Sequence, residues 1–336
     1  MLTKQNASLL AYNTFGIDVK ADYFIEYESV DELQLTLKSD VVKSNRILQI
    51  GGGSNLLFLN DFRGVILHSA IKSIKKVDED SEFVYIEVGS GVIWDDFVAY
   101  SVQNNLGGIE NLSLIPGETG ASAVQNIGAY GVEVQDVIVK VNAMEIETAK
   151  LRTFTNEECH YGYRDSVFKN ELKGKYIINS VIFQLDKKPA FKLNYQHLEE
   201  SVRKNGIINL QNIRKTIIEI RESKLPDPKI YGNAGSFFMN PVISTKHFHD
   251  LQAKYPQIPH YFISETEEKV PAAWLIDQCG WKGKQIGNAG VHDKQALVLV
   301  NKGCATGNEI ASLAKQIQLS VFDTFGIELT PEVNYI

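Results

Sequence analysis

The alternation of apolar and polar positions predicts a small αβ unit in the first seventy residues. Residues 23–28 (YFIEYE) alternate apolar and polar side chains as a strand does, and the segment from Asp31 to about Lys38 has the spacing of an amphipathic helix. The apolar run 47–50 leads into three glycines, and residues 64–68 (GVILH) predict a further strand. We therefore expect a compact αβ unit with a glycine turn at its edge.

From residue 71 the pattern changes to longer β runs with few helices. Strands are predicted over 83–91, 137–147 and 176–185, and a helix over 94–105. The glycine-rich stretch 107–131 lies between them and is predicted as one long loop. Long loops without structure of their own are uncommon in compact domains, so this one is expected to be functional.

The last third predicts a separate αβ unit after a helix over 210–223 that LPDP ends. Thr306 and Glu309 form a capping box before an amphipathic helix, and Pro331 favours an edge position or the start of a final strand. The other predicted elements are loop and strand over 232–244, a helix over 244–255, a buried helix over 271–280, and strands over 295–301 and 329–336.

Composition bounds the class of protein. The 336 residues are 44% hydrophobic and 22% charged, which is typical of a globular protein with room for two or three domains. A net charge of −7 argues against a nucleic-acid binder. The sequence has no apolar stretch of signal-peptide or bilayer length, so we expect a cytoplasmic protein that does not associate with membranes. Its three cysteines lack metal-site spacing and predict neither disulfides nor zinc.

Two glycine-rich segments favour a phosphate-bearing ligand. Residues 51–55 (GGGSN) follow a predicted strand, and residues 116–131 contain almost only small side chains. Glycine leaves backbone amides open to close approach, which suits a pyrophosphate. The alternative is a glycine-rich surface loop. Neither segment has the G-x-G-x-x-G pattern of a doubly wound dinucleotide site, so that site is disfavoured.

Taken with YRDSVF, LPDPK, GNAGSFFMNP and LTPEV further along, these segments resemble the UDP-N-acetylenolpyruvoylglucosamine reductase family from Asn13 to the C-terminus. The resemblance implies an α+β protein with an FAD-binding fold of the vanillyl-alcohol oxidase type, built from two αβ subdomains, and a C-terminal αβ substrate-binding domain. The implied division is 1–69 completed by 327–336, then 70–224, then 225–326.

The same resemblance implies FAD and NADPH as cofactors and a small-molecule substrate, UDP-N-acetylglucosamine enolpyruvate, which is reduced to UDP-N-acetylmuramate for cell walls. NADPH and substrate would use one cleft in turn, which predicts ping-pong kinetics. We expect a monomer. The residues implied to bind the cofactor are Gly51, Gly52, Gly53, Ser54, Asn55, Pro116, Gly117, Thr119, Gly120, Ala121, Gln125, Asn126, Gly128, Ala129, Tyr130 and Gly131.

Three residues match the catalytic positions of the family. Arg164 would face the enolpyruvyl carboxylate, and Ser236 would donate the proton to C2. Glu332 would lie opposite the arginine, and the charge of the substrate predicts a raised pKa for this carboxyl. From the residues alone, the alternatives are a surface pair between Arg164 and Asp165, a turn serine, and a solvated carboxylate at a strand edge.

The implied substrate-binding residues supply a local cationic site in an acidic protein. Tyr163 would lie beside flavin and substrate, and Tyr195 would cover the substrate, as in the subgroup with an extra loop between Leu185 and Asn212, unless it packs in the core. The remaining implied substrate residues are Arg221, Lys224, Asn240 and Lys282, with Lys229 and Lys284 expected to be solvated.

Two other functions stay open at this point. One is an FAD oxidase or dehydrogenase of the same fold that acts on an alcohol or lactone. The other is a nucleotide-sugar binding protein without catalysis. His247 and His249 form an H-x-H pair on a predicted helix with no third ligand at a useful spacing, so no metal is implied.

Overall fold

The computed structural model describes residues 1–195 and 197–336. Its strands are β1 (Leu2–Ser8), β2 (Lys20–Tyr27), β3 (Ile47–Ile50), β4 (Leu56–Leu57), β5 (Phe62–Ser69), β6 (Ile74–Glu79), β7 (Phe83–Gly89), β8 (Gly128–Ala129), β9 (Val132–Glu133), β10 (Ile138–Glu145), β11 (Leu151–Thr155), β12 (Tyr176–Asp186), β13 (Gly232–Ser236), β14 (Val242–Ser244), β15 (Tyr261–Ser264), β16 (Glu267–Lys269), β17 (Gln285–Ile286), β18 (Ala289–Val291), β19 (Val298–Asn301) and β20 (Asn334–Tyr335). Its α-helices are α1 (Val30–Lys38), α2 (Asp40–Lys43), α3 (Trp94–Gln103), α4 (Thr119–Gln125), α5 (Leu198–Asn205), α6 (Leu210–Lys224), α7 (Thr245–Lys254), α8 (Ala272–Gln278) and α9 (Gly307–Phe325).

The described residues form two compact units. Unit 1 comprises Met1–Ala7, Ala21–Gly52 and Arg63–Arg221, and unit 2 comprises the rest, Ser8–Lys20, Gly53–Phe62 and Glu222–Ile336. The three-domain division stays a prediction. Within the described ranges, no helix is both long and apolar enough to cross a bilayer.

The first sheet of unit 1 has the strand order β1-β2-β5-β3, with β3 parallel to β5. Helix α1 covers it because its apolar stripe buries Leu33 and Leu37 against Tyr27 and Leu67 of the sheet. The helix begins where the Glu32 amide donates to the Ser29 hydroxyl at 3.1 Å. The helix and strands predicted here are confirmed.

The second sheet of unit 1 is antiparallel, in the order β11-β10-β12-β7-β6. Trp94 and Phe97 of α3 pack on Phe183 of β12 at ring distances of 5.9 and 4.9 Å. The Trp94 indole donates to the Leu112 carbonyl at 2.9 Å, which satisfies the one polar atom that this side chain buries. The predicted strands and helix of this region are confirmed.

The prediction of one long loop over 107–131 is wrong, because α4 lies inside it. Glycine and serine lower intrinsic helix propensity, but here packing decides. The Thr119 and Gly120 amides donate to the Val92 and Ser90 carbonyls, and a side chain at Gly120 would lie 2.7 Å from the Ser90 Cβ. Asn126 ends the helix in the left-handed region at φ 46°.

The segment between Leu185 and Asn212 also contains a helix. Helix α5 buries Leu198 and Val202 against Ile213 and Ile217 of α6. Helix α6 confirms the predicted helix, with its apolar face toward this small core.

Unit 2 is built on the sheet β13-β19-β18-β17, with a second sheet β14-β16-β15 and the parallel pair β20-β4. The predicted capping box of α9 is confirmed: the Glu309 amide donates to the Thr306 hydroxyl, and the Thr306 amide to the Glu309 carboxylate. The predicted final strand is shorter than expected, since only Asn334 and Tyr335 pair with β4. The loop and strand predicted over 232–244 form β13 and β14.

Candidate functional site

Two glycine segments of unit 1 meet at the end of β3. A side chain added at Gly51 would stand 3.2 Å from a Glu118 carboxylate oxygen, and one added at Gly52 would lie 3.6 Å from the Gly117 Cα. The backbone at Gly52 therefore lies close to the backbone at Gly117, and the small side chains here leave backbone amides open to an anionic ligand. We call residues 51–52 with 116–121 the cradle. The close approach of these small residues fits the pyrophosphate-bearing cofactor that the sequence resemblance implies.

The predicted cofactor residues of unit 1 follow one another around α4. Pro116 and Gly117 precede the helix, and its first turn contains Thr119, Gly120 and Ala121. Its last residue is Gln125, and Asn126 caps it. Strand β8 contains Gly128 and Ala129, and Tyr130 and Gly131 form the turn to β9. The structure thus brings most of the predicted set into one continuous path.

Asn126 has a structural role that the sequence pattern did not predict. Its buried side-chain amide donates to the Glu133 carboxylate at 2.9 Å and to the Gly162 carbonyl at 2.7 Å, and its oxygen accepts from the Gln135 amide. These bonds tie the end of α4 to the segment that carries Arg164. A replacement would therefore disturb the site through the backbone.

The guanidinium of Arg164 is anchored on the glycine path. It donates to the Gly128 carbonyl at 2.5 Å and to the Asn126 carbonyl at 3.3 Å, and it lies 5.4 Å from the centre of the Tyr163 ring. Arg164 itself adopts φ 56°, an uncommon conformation for a residue with a side chain. A Cβ at Gly128 would come within 2.8 Å of the Arg164 Nη1, so a side chain there would displace the guanidinium.

Tyr130, Tyr195 and Arg221 gather on the same side of unit 1. The two tyrosine rings form an edge contact at 5.8 Å. The Nε of Arg221 is buried and has no hydrogen-bond partner among the residues that the structure describes. Burial lowers the pKa of Arg221, with the nearby Arg164 adding to the effect, while Tyr130 and Asp95 oppose it. A buried donor of this kind suits an anionic or carbonyl group of a ligand.

Asp95 and Arg214 form a two-pronged ion pair that sequence reasoning missed. The Arg214 nitrogens donate to the two Asp95 oxygens at 2.6 and 2.8 Å, and the Leu114 amide donates to Asp95 at 2.6 Å. Burial disfavours the Asp95 carboxylate, but these donors hold its pKa below the usual value. The pair joins α3 to α6, and the bond from Leu114 connects it to the segment that leads into the cradle. Only the acidic first turn of α3 hinted at it.

His68 of β5 lies between two glutamates, another arrangement that the sequence did not reveal. Its Nδ1 is 2.8 Å from the Glu26 carboxylate and its Nε2 is 3.0 Å from the Glu118 carboxylate. The contact with Glu118 brings the imidazole to the edge of the cradle, because Glu118 also faces Gly51.

In unit 2, the predicted cofactor residues Gly53, Ser54 and Asn55 precede β4. Gly53 has φ 63°, and a side chain there would stand 2.0 Å from the Tyr12 carbonyl, so only glycine fits. Asn55 donates from its side-chain amide to the Glu332 carbonyl at 3.2 Å and accepts from the Asn334 amide at 3.0 Å. The predicted cofactor turn and the predicted catalytic glutamate are thus directly joined.

The backbone of Glu332 is bonded to the residue that follows Ser236. The Glu332 amide donates to the carbonyl of Phe237, the residue after Ser236, at 2.8 Å. Phe238 pairs with Pro331 next to it. The side chain of Phe237 is fully buried, whereas Ser236 is exposed. The structure therefore brings these two predicted catalytic residues close along the backbone.

The other predicted substrate residues of unit 2 have local partners or are exposed. Asn240 accepts from the Ala272 amide at 2.9 Å and so holds the first turn of α8. Lys282 lies 3.4 Å from the Asp277 carboxylate. Lys224 is the exposed last residue of α6. Their roles toward a substrate stay predictions. Residues 1–195 and 197–336 hold no group of three or more histidine, cysteine or acidic residues that could bind a metal.

Comparisons with known proteins identify the fold and the family of the chain. A family model described as an FAD binding domain matches residues 21–155, and one described as the C-terminal domain of UDP-N-acetylenolpyruvoylglucosamine reductase matches residues 227–336. A crystal structure of UDP-N-acetylenolpyruvylglucosamine reductase from Thermus caldophilus superposes with a TM-score of 0.69 at 22% identity, over 99% of this chain and 98% of that one. The predicted fold class is confirmed.

Curated relatives cover the whole chain. A UDP-N-acetylenolpyruvoylglucosamine reductase of Bacteroides fragilis is 52% identical over 99% of this chain and 100% of its own length. One from Flavobacterium johnsoniae is 48% identical over 100% of both. The chain belongs to the UDP-N-acetylenolpyruvoylglucosamine reductase family.

Proposed function

We propose that this chain reduces UDP-N-acetylglucosamine enolpyruvate to UDP-N-acetylmuramate, a precursor of peptidoglycan, with FAD as its bound cofactor and NADPH as the reductant. Identity of about half of all residues with curated members over nearly the full chain supports this activity. When bound, FAD supplies the hydride-transfer chemistry that connects NADPH to the substrate.

The observation that carries the proposal is the anchoring of Arg164 on the glycine path. Gly51 and Gly52 face Gly117 and Glu118 in the cradle, and the same path continues to Gly128, whose carbonyl accepts from Arg164. A flavin held by this path would have a fixed cation beside it. That combination suits the reduction of a substrate with a carboxylate next to the reacting carbon.

Arg164 is assigned to the enolpyruvyl carboxylate. Two carbonyls, those of Asn126 and Gly128, fix the direction of its guanidinium before substrate arrives. Preorganised cations stabilise developing negative charge without the cost of reorientation during reaction. Arg164 would therefore stabilise the electron-rich carboxylate that forms when hydride adds at C3.

Ser236 is assigned to proton transfer, and Glu332 to stabilisation of the intermediate that accepts the proton. Ser236 would hold its hydroxyl proton for delivery to C2, which closes the reduction and leaves the lactyl ether. Glu332 would stabilise the enolic form of the substrate carboxylate, and its role requires a protonated carboxyl next to a negatively charged substrate. The hydrogen bond between the Glu332 amide and the Phe237 carbonyl supports this pairing, since it ties Glu332 to the residue that follows Ser236.

The diphosphate of the substrate is assigned to cationic and amide groups, Lys224, Lys282 and Asn240, and Tyr195 is assigned to the cover over the substrate. Tyr163 would lie beside flavin and substrate. Arg221, whose Nε is buried beside Tyr130, would serve the same anionic region. Anion binding by such a local cluster is needed because the net charge of −7 repels a nucleotide sugar at long range.

We also infer that the enzyme acts in the cytoplasm and as a monomer. Both NADPH and nucleotide sugars are cytoplasmic compounds, which supports the location. Light scattering after size-exclusion chromatography would give a mass near 37.6 kDa for a monomer; twice that mass would contradict the inference.

The function is tested without oxygen. The purified flavoprotein is reduced with one equivalent of NADPH and then mixed with UDP-N-acetylglucosamine enolpyruvate while the oxidised flavin absorbance is followed. Rapid return of that absorbance with formation of UDP-N-acetylmuramate would support the proposal. A flavin that stays reduced until oxygen is admitted would favour an oxidase, and a protein that takes up no FAD would favour a nucleotide-sugar binding protein.

A further inference from the structure

His68 connects the first sheet of unit 1 to the cradle. It is the register partner of Ile50, the residue before Gly51, and its neighbour on the other side is strand β2, which carries Glu26. The side chain of His68 is 10% exposed, and the imidazole stacks near Phe24 at a ring distance of 6.0 Å. It therefore lies at the point where the sheet ends and the cradle begins.

The two short contacts of His68 require two protons. A neutral imidazole has one N–H donor and one lone pair, so it can satisfy only one of two carboxylates. With Glu26 at 2.8 Å and Glu118 at 3.0 Å from opposite ring nitrogens, the lone pair of a neutral ring would face a carboxylate. An imidazolium donates to both. Because histidine is the stronger base, the shared protons belong on the ring.

Glu118 connects His68 to the cradle. The Oε2 of Glu118 stands 3.2 Å from the position that a Cβ on Gly51 would take, and its Oε1 contacts His68. The residues on either side are held by backbone bonds: the Gly117 carbonyl accepts from Trp94, and the Thr119 amide donates to Val92. The side chain of Glu118 is thus the part of this segment whose position depends on the histidine.

We propose that His68 is a positioning residue for FAD: as an imidazolium it bridges Glu26 and Glu118 and thereby holds the cradle in its binding shape. Loss of the proton leaves two carboxylates around a neutral ring, so the charge of the trio changes from −1 to −2 at the place where a pyrophosphate is to be bound. FAD affinity should therefore fall as pH rises.

The pKa of His68 is raised, which agrees with a protonated bridge. Burial alone would lower it, but the hydrogen bond and charge of Glu118, followed by those of Glu26, raise it overall. A further titratable group of the same region is the Tyr27 phenol, whose pKa burial raises, with a further contribution from Glu118. A raised pKa keeps the bridge intact at low pH and removes it as pH rises through the folded-state value.

The test measures FAD binding rather than turnover. Apo-protein is titrated with FAD at several values between about pH 6 and pH 9, and the dissociation constant is read from flavin fluorescence. For the unaltered protein we expect Kd to increase with pH. For His68→Gln, which lacks the cation, we expect Kd to be about tenfold higher at low pH and nearly independent of pH.

Two further variants make the test specific. Glu118→Gln can donate to a neutral imidazole, so it should remove most of the loss of affinity at high pH; it also covers the case in which His68→Gln fails to fold. His260→Gln is the matched control, because His260 also pairs with a glutamate, Glu268, at 2.9 Å, but in unit 2. It should keep the FAD affinity and the pH profile of the unaltered protein.

The proposal rests on FAD as the cofactor, and its failure can be told apart from failure of the proposed function. FAD binding in which His68→Gln and Glu118→Gln keep the unaltered affinity and pH profile would overturn the role of His68 alone. A flat profile for the unaltered protein would overturn it as well. An unaltered protein that binds no FAD would overturn both.

Discussion

The side-chain amide of Asn55 donates to the backbone carbonyl of Glu332 at 3.2 Å, across 277 residues of sequence. Strand β20 pairs with β4 immediately beyond this bond. The turn predicted to bind the cofactor therefore holds the segment that carries the predicted acid, so the position of Glu332 depends on a residue from the other end of the chain.

Asn55→Ala should slow the substrate half-reaction by about tenfold, since one hydrogen bond of about 1 kcal/mol and the alignment that it provides are lost. Stopped-flow reoxidation of the NADPH-reduced flavin by substrate measures this. Asn334→Ala is the control, because the Asn334 side chain donates at 3.3 Å to the carbonyl of Asn55 and does not contact Glu332 in this way. Equal slowing in both variants would contradict the prediction.

Ser236→Ala should leave flavin reduction by NADPH near normal and slow product formation by about 10²- to 10⁴-fold, because the proton donor to C2 is missing. The two half-reactions are measured separately by absorbance. Ser264→Ala, in β15 of the same unit, should affect neither. If both half-reactions of Ser236→Ala decline together, its assignment as the proton donor is wrong.

Gly128→Ala should impair the enzyme through Arg164. The new methyl would lie 2.8 Å from Nη1 of Arg164 and would displace the guanidinium from its two carbonyl acceptors. We expect kcat/KM for the substrate to fall by about 10²-fold, or ~2.7 kcal/mol. Gly162→Ala is the control, since its methyl would meet only the Asp165 Cβ within 4 Å, at an ordinary 3.7 Å. Normal kinetics in Gly128→Ala would show that Arg164 does not depend on this carbonyl path.

Asp95→Ala should destabilise the protein by about 3 kcal/mol, because Arg214 loses both acceptors and the Leu114 amide loses its partner. Since the folded-state pKa of Asp95 lies below its unfolded value, its contribution is present above the unfolded value and lost as pH falls through the folded one. Urea unfolding at neutral and acidic pH measures both effects.

The control for this variant is Asp96→Ala, which removes an exposed carboxylate from the same turn of α3. It should change the unfolding free energy by less than about 0.5 kcal/mol. If Asp95→Ala and Asp96→Ala unfold at the same urea concentration, the buried pair contributes nothing measurable.

Short-range patterns predicted most helices and several strands, because the spacing of apolar residues and the caps act within one or two turns of chain. The helix after Thr306 is an example, where the box with Glu309 and the apolar face both act locally. Short-range patterns did not predict helix α4. It depends on hydrogen bonds to the carbonyls of Ser90 and Val92 and on a close approach to Ser90 that glycine at position 120 permits.

The sequence by itself determined the family, the cofactor and the fold class, since separated motifs in fixed order specify a common ancestry and glycine marks where backbone must meet backbone. Only the tertiary structure decided which charged groups face one another. Asp95 meets Arg214 across 119 residues, and His68 meets Glu26 and Glu118 across 42 and 50. Charged residues follow no periodic pattern that would reveal their partners, because the packing of whole strands and helices determines which charges meet.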